Sequence, residues 1–326
     1  MKAAIYANID KFVTLSGIPR GPLSKIYVVD GTNGSDSNSG TSFLSPLKTV
    51  SAAYAKCVSG QHDTVLVLAA TTAVLEATAI TWSKNLTHLV GMGAPTHAAQ
   101  RTRIVCNAAD TGSNSMSPFI TISGYGCIFK NLYIWQGQND ASTLINVSVT
   151  GNRNYFENVH FAGGGHATQA VDGGISCQIA GGSENLFEHC TFGVDTVDAS
   201  TGLCALSFPA TGGAARNVFR NCLFTLYAAG TSAAGVIFCE LLGNSGIDRY
   251  QIFDRCTFIN LAATAMTEAF AVAAGFDASN KRVLLRDCAL IGATDWDSNN
   301  RGILYLNNGT ITGGGNTGLF AVSNAT

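Results

Sequence analysis

The sequence predicts an all-β chain wound as a single-stranded, right-handed parallel β-helix, a solenoid with a short N-terminal capping helix. Three observations carry that expectation. An eight-residue phrase recurs at separations of 27 to 34 residues, and a separate apolar strand precedes each recurrence. Hydrophobic residues make up 46% of the chain and charged residues only 12%, which suits a long core under a polar, sparsely charged surface. A solenoid carries 326 residues as one unit because each coil buries its face only against its neighbours.

The phrases are CIFKNLYI, NYFENVHF, NLFEHCTF, NVFRNCLF, QIFDRCTF and VLLRDCAL. Their third residues, Phe129, Phe156, Phe187, Phe219, Phe253 and Leu285, form one expected inward column. Two polar residues follow, then an apolar sixth and eighth position, the pattern of a strand, a corner and a second strand of period two. The sixth position stacks Cys190, Cys222, Cys256 and Cys288 above Leu132 and Val159. Ten cysteines without a CxxC pair therefore read as buried thiols acting as small hydrophobes.

At the corner, Lys130, Glu157, Glu188, Arg220, Asp254 and Arg286 form an outward charged column, expected to serve solubility. Beside it, Asn131, Asn158 and Asn221 are expected to pass side-chain hydrogen bonds along the axis. The apolar strands that precede the phrases fall in 118–123, 143–149, 174–180, 203–209, 235–242 and 268–276, with GILYLNN at 302–308 in the last coil.

Residues 26–69 read IYVVDGTNGSDSNSGTSFLSPLKTVSAAYAKCVSGQHDTVLVLA. This segment resembles the opening of pectate-lyase-like β-helix proteins through Tyr27, Asp30, Gly34, Asp36, Asn38, Gly40, Thr41, Pro46, Lys48 and Thr49, then Asp63, Thr64 and Val65. His62 stands where that opening usually has glycine. The resemblance implies a helix at 50–58 lying over the first coil and extends, through the repeats, over about 300 residues. It implies no single activity, since such openings occur in polysaccharide lyases, hydrolases, surface proteins and structural parts of bacterial viruses.

A lyase of that superfamily would use acidic Ca2+ ligands beside an Arg or Lys base, and calcium takes six to eight oxygens. Asp172, Asp195 and Asp198 are the candidate catalytic or metal cluster, with Arg216 and Arg220 the nearest bases above them. A hydrolase would need paired carboxylates; Glu157 with Glu188, and Glu240 and Glu268 beside apolar strands, are the alternatives. Glycan contact without catalysis would fall to Tyr133, Trp135, Tyr227, Trp296 and Tyr305. No other cofactor is implied.

The formal net charge is −2 with no run of Lys or Arg, which argues against nucleic acid as a partner. No stretch approaches 18 apolar residues, so no membrane insertion is expected, and the opening MKAAIYANIDKF lacks a signal-peptide core. Residues 1–25 form an arm ahead of the column at 26–326, with Ile5, Tyr6, Ile9, Phe12 and Leu15 as assembly contacts. Leu319 and Phe320, in a last coil without a capping helix, are expected to meet a partner.

Together these features favour a non-catalytic assembly component, a bacteriophage virion decoration, fibre or tail-associated protein. It would form homo-oligomers, meet other virion proteins, contact surface polysaccharide and sit on a virion or extracellular particle surface. The alternatives are a polysaccharide lyase or glycoside hydrolase acting in a groove of the β-helix, and a carbohydrate-binding adhesin.

Overall fold

A computed structural model of the chain describes residues 11, 13–14, 16–97, 102–107, 116–200, 202–229, 235–276, 280–299, 302–307 and, as backbone alone, 309–311. The expected contacts Ile5, Tyr6, Ile9, Phe12, Leu15, Leu319 and Phe320 lie outside the described residues. Among the described residues, seventeen strands form one long parallel sheet and seven form a second, which is the expected β-helix. No described helix is long and apolar enough to cross a membrane.

The phrases set the register of the long sheet. Phe129 pairs with Phe156, Phe156 with Phe187, Phe187 with Phe219, Phe219 with Phe253 and Phe253 with Leu285. The five phenylalanine rings stack at 4.5–5.0 Å between centroids and are fully buried. A second inward stack, Phe161, Phe192, Phe224 and Phe258, comes from the eighth position of the phrases, with successive rings at 4.5–5.0 Å. GILYLNN continues this long sheet, Ile303–Leu306 pairing with residues 283–286, and supplies no strand to the second sheet.

Between the two halves of each phrase the backbone makes its corner with one left-handed residue: Asn131, Asn158, His189, Asn221, Arg255 and Asp287 all have φ of 52–56°. Asparagine and aspartate tolerate that region because their short polar side chains bond locally. Asn158 Nδ2 donates to Asn131 Oδ1 at 3.1 Å, as expected, whereas Asn221 lies between His189 and Arg255 and has no asparagine neighbour to continue the ladder. The four stacked thiols each donate to the carbonyl of a phenylalanine one coil below, Cys190 to Phe156, Cys222 to Phe187, Cys256 to Phe219 and Cys288 to Phe253, at 3.3–3.5 Å. All ten cysteines are free and buried.

A longer amide ladder runs inside the column, through the leading residue of the four middle phrases. Asn154 N donates to Asn185 Oδ1 and Asn185 N to Asn217 Oδ1, at 2.8 and 2.9 Å. Asn217 Nδ2 continues to Gln251 Oε1 at 3.0 Å, while Asn185 Nδ2 also reaches the Gly151 carbonyl at 3.1 Å. These amides satisfy backbone groups at a buried bend that would otherwise be stranded. Asn185→Leu keeps the volume and removes the bonds, so each stranded group is expected to cost about 1–3 kcal/mol, read as a lower denaturant midpoint.

The charged corner column is not simple decoration. Asp254 has a side chain only 4% exposed and faces Arg286 at 2.8 Å, Arg255 at 3.5 Å and Arg220 at 3.6 Å. The Arg286 hydrogen bond holds the Asp254 carboxyl below its ordinary range. A depressed folded value means that the stabilisation is full above the unfolded aspartate value, about 3.9, and is lost as pH falls through the folded value. Thermal melts below about pH 4 should therefore fall more steeply for the native chain than for Asp254→Asn.

Helix α1 (Val50–Lys56) covers the first coil, ending two residues earlier than expected. Thr49 Oγ1 accepts the Ala52 amide at 3.1 Å, and Glu76 Oε1 from the next coil accepts the Val50 amide at 2.6 Å, placing oxygen acceptors at the helix start. Tyr54 on its buried face stacks on Trp82 at 4.1 Å. The described part of the arm packs back on the column: Val13 and Ile18 join Ile26, Val28, Leu66 and Val90 in a separate apolar cluster.

Candidate active site

The second sheet contains Ile80–Trp82, Ile120–Ile122, Ile145–Val149, Ile175–Ile179, Cys204–Phe208, Ile237–Leu241 and Phe270–Val272. Val147, Cys177, Leu206 and Cys239 on one side, and Val149, Ile179, Phe208 and Leu241 on the other, point into the core. Period-two alternation therefore turns the position between them outward. That column runs Thr121, Ser148, Gln178, Ser207, Glu240 and Ala271 in register. It is polar over five consecutive rungs, Thr121 to Glu240, and none of the seven strands contains Lys or Arg.

Glu240 is the chemically distinctive member. It is half-buried, and burial pushes its carboxyl up; the Ser207 hydroxyl partly offsets this, and the negative charge of Asp172 adds to the rise. Ser207 is fully buried and its hydroxyl has no hydrogen bond of ordinary length and angle among the described residues. On the next rung, Ser148 Oγ reaches Gln178 Oε1 at 3.5 Å.

Asp172 is exposed and comes from the loop that leads into the strand Ile175–Ile179. Its carboxyl lies against Gly202, which has φ of 88° and no space for a side chain where Asp172 sits. Gly202 in turn donates to the Gly235 carbonyl at 2.8 Å, so the loop carboxylate is carried up the column toward the strand that bears Glu240.

The three sequence candidates take different surroundings. Asp172 adds its negative charge to the rise at Glu240; the charge of Asp195 acts instead on Tyr133 and His160 of the long sheet; Asp198 Oδ1 accepts the Ala229 amide at 2.9 Å. His160 is buried, which lowers its value to about 4, and it bonds the Gly193 carbonyl at 2.8 Å. Among the described residues no group of three or more His, Cys, Asp and Glu is placed to hold a metal ion.

The other carboxylates are engaged elsewhere. Glu157 pairs with Lys130 at 2.7 Å, and Glu188 accepts from the Tyr155 hydroxyl at 2.9 Å with Arg220 at 3.5 Å. Glu268 accepts from the Ser298 amide and hydroxyl at 2.9 and 2.6 Å. Trp296 belongs to the core, 9% exposed and edge-on to Phe258 at 5.4 Å. The column Ser148, Gln178, Ser207 and Glu240 was not singled out from the sequence as a group, although INVSV, ISCQI, CALSF and IFCEL each carry one polar residue at the fourth place.

No protein-family model matches the chain, and no curated protein matches it. Solved structures do. A rhamnogalacturonan lyase is similar with a TM-score of 0.61 and 15% identity, over 88% of this chain and 74% of that one. Pectin methylesterase PemA from Erwinia chrysanthemi gives 0.54 and 13% over 90% of each chain, and the carrot pectin methylesterase 0.51 and 14% over 91% of this chain and 85% of that one.

These matches correct the functional expectation. The solved structures named above carry the names of carbohydrate-active enzymes, and no phage or non-catalytic member is indicated, so the virion decoration, fibre or tail reading and its non-enzymatic character are set aside. The signals behind that reading, an apolar arm and an uncapped last coil, rested largely on residues outside the described ones. At 13–15% identity the similarity itself establishes one thing: the chain has the right-handed parallel β-helix fold of pectate-lyase-like proteins.

Proposed function

We propose that the chain is a polysaccharide-cleaving enzyme, a glycoside hydrolase acting on the outward face of the second sheet, with Glu240 as general acid and Asp172 as general base. One observation carries the reading: Glu240 is half-buried in the outward column with its carboxyl pushed up by burial, while the exposed Asp172, from the loop leading into Ile175–Ile179, adds its negative charge to that rise. Environments that separate two carboxyl groups in this way divide acid from base. In the step proposed, Asp172 takes a proton from water, the water oxygen bonds to the anomeric carbon, the glycosidic C–O bond breaks, and the Glu240 proton passes to the departing sugar oxygen.

A lyase is less well supported, because its base would be Lys or Arg and the seven strands of this face contain neither. The names of the similar structures, which act on pectin and rhamnogalacturonan, support a plant cell-wall polymer as the first substrate class to try. Such a polymer is met outside cells, which is the setting proposed for this chain. The test is release of reducing ends from a panel of polysaccharides by the purified protein, with Glu240→Gln as control. Absence of release from every polymer would overturn the reading.

A further inference from the structure

Independently of the hydrolase reading, we propose that His62 and His88 form an acid-sensitive latch that holds residues 16–25 of the arm against the first coils. His62 takes the left-handed conformation, with φ of 60°, at the position where the opening it resembles usually has glycine. A histidine there meets backbone strain that glycine avoids, and such strain persists only where the surroundings hold the residue in place.

His88 supplies that hold. Nδ1 of His62 lies 3.1 Å from Nε2 of His88, and the rings stack with centroids 5.3 Å apart. His88 is fully buried at the head of the strand His88–Gly91, and its Nδ1 accepts the Ile128 amide at 3.1 Å. A backbone amide only donates, so Nδ1 of His88 carries no proton and the ring proton sits on Nε2. His88 therefore donates to His62, and a single order of protons satisfies both contacts. A further proton has no place in that order. On His62 it would set two N–H groups face to face; on His88 it would set one against the Ile128 amide. Either way a buried hydrogen bond is lost.

The arm rests on this pair. A side chain at Gly21 would meet the Gln61 carbonyl at 3.2 Å and the His62 ring at 3.9 Å. Lys25 is tied to the same turn, its amide donating to Asp63 Oδ1 at 2.6 Å and its carbonyl accepting the Thr64 amide at 2.9 Å. The charged groups on the packed elements are Arg20 of the arm, Asp63 of the turn and Lys130 of the strand that contains Ile128. Asp63 also accepts the Val58 amide at 2.7 Å, and Lys130 binds the Ser16 carbonyl at 3.2 Å and Glu157 at 2.7 Å. Burial, then His62 and Arg20, hold His88 down to about 3. An opened turn frees that ring to take a proton near the ordinary histidine value of about 6.5, so opening gains as pH falls below that value. The apolar patch of Ile26, Val28, Leu66 and Val90, packed against Val13 and Ile18, then loses its cover.

The experiment is hydrogen exchange of the full chain at pH 7.5 and 5.0, corrected for the intrinsic rate at each pH. Residues 16–25 and 59–64 are expected to lose at least about tenfold in protection at pH 5.0, the scale of one proton taken up below 6.5, while residues 185–222 keep theirs. His62→Asn tolerates positive φ and does not titrate, so it is expected to remove the pH difference at whatever level of protection it sets. In the native chain the ring resonances of His62 and His88 should change with the same midpoint as the arm. An arm that stays protected at pH 5.0, a His62→Asn variant that keeps the native pH response, or ring and arm midpoints that differ would each overturn the latch.

Discussion

Phe219→Ala is expected to destabilise the column by about 3–5 kcal/mol, the range for deleting a fully buried aromatic ring. Phe219 lies between Phe187 and Phe253, 4.7 Å from each with interplanar angles of 10°, and takes edge contacts from Phe192 at 5.8 Å, Phe224 at 6.3 Å and Phe208 at 6.5 Å. Its removal opens a void at the junction of both phenylalanine stacks and the second sheet. In a solenoid each coil is stabilised through its neighbours, so the defect weakens the coupling between the halves of the column as well as one coil. Denaturant unfolding should show a lower midpoint and a broader transition, whereas Leu285→Ala, one rung from the last described strand at that position of the same column, should cost about 2–5 kcal/mol and leave the transition sharp. Equal broadening by both variants would show that the coils do not transmit stability along the stack.

The fold was legible because one periodic signal fixes every register at once: when Phe129, Phe156, Phe187, Phe219 and Phe253 align, each strand beside them is placed. The buried amides of Asn154, Asn185, Asn217 and Gln251 stood at the head of the same phrases, but polar residues at a bend read as surface until the backbone groups they satisfy are known. Asp254 was misjudged for a related reason. A charge at an outward corner looks solvated, and only the three guanidinium groups that converge on it bury it.

The candidate site was legible in one half only. Asp172 stood out as a loop carboxylate and Glu240 as an acid inside an apolar strand, yet loops have no period from which to read where they go. The loop at 163–174 carries Asp172 toward Glu240, while the following loop carries Asp195 to Tyr133 and His160 and ties Asp198 to the backbone of Ala229. Proximity in sequence had suggested the opposite grouping. The polar column below Glu240 was available from the aligned strands, because Ser148, Gln178 and Ser207 occupy one outward register.

Glu240→Gln is expected to lower the rate of polysaccharide cleavage by about 10²–10⁴-fold, the usual contribution of a positioned acid. The amide keeps the shape and removes the proton that the leaving oxygen needs. In the native chain the high-pH limb of the activity profile should lie above the ordinary glutamate range, because burial first and the charge of Asp172 second hold Glu240 protonated to higher pH. Activity then falls as pH rises through the raised value, and the variant loses that limb. The substitution should affect stability in the opposite sense to activity. A carboxyl raised in the folded state binds more protons folded than unfolded, so native stability declines as pH rises through the window above the unfolded glutamate value of about 4.3. Glu240→Gln removes this penalty and should melt at or above the native temperature near neutral pH, an exchange of stability for function that structural carboxylates do not make. A variant that loses activity and melts lower would make Glu240 a structural residue; one that melts higher while cleavage collapses would place it in the chemistry.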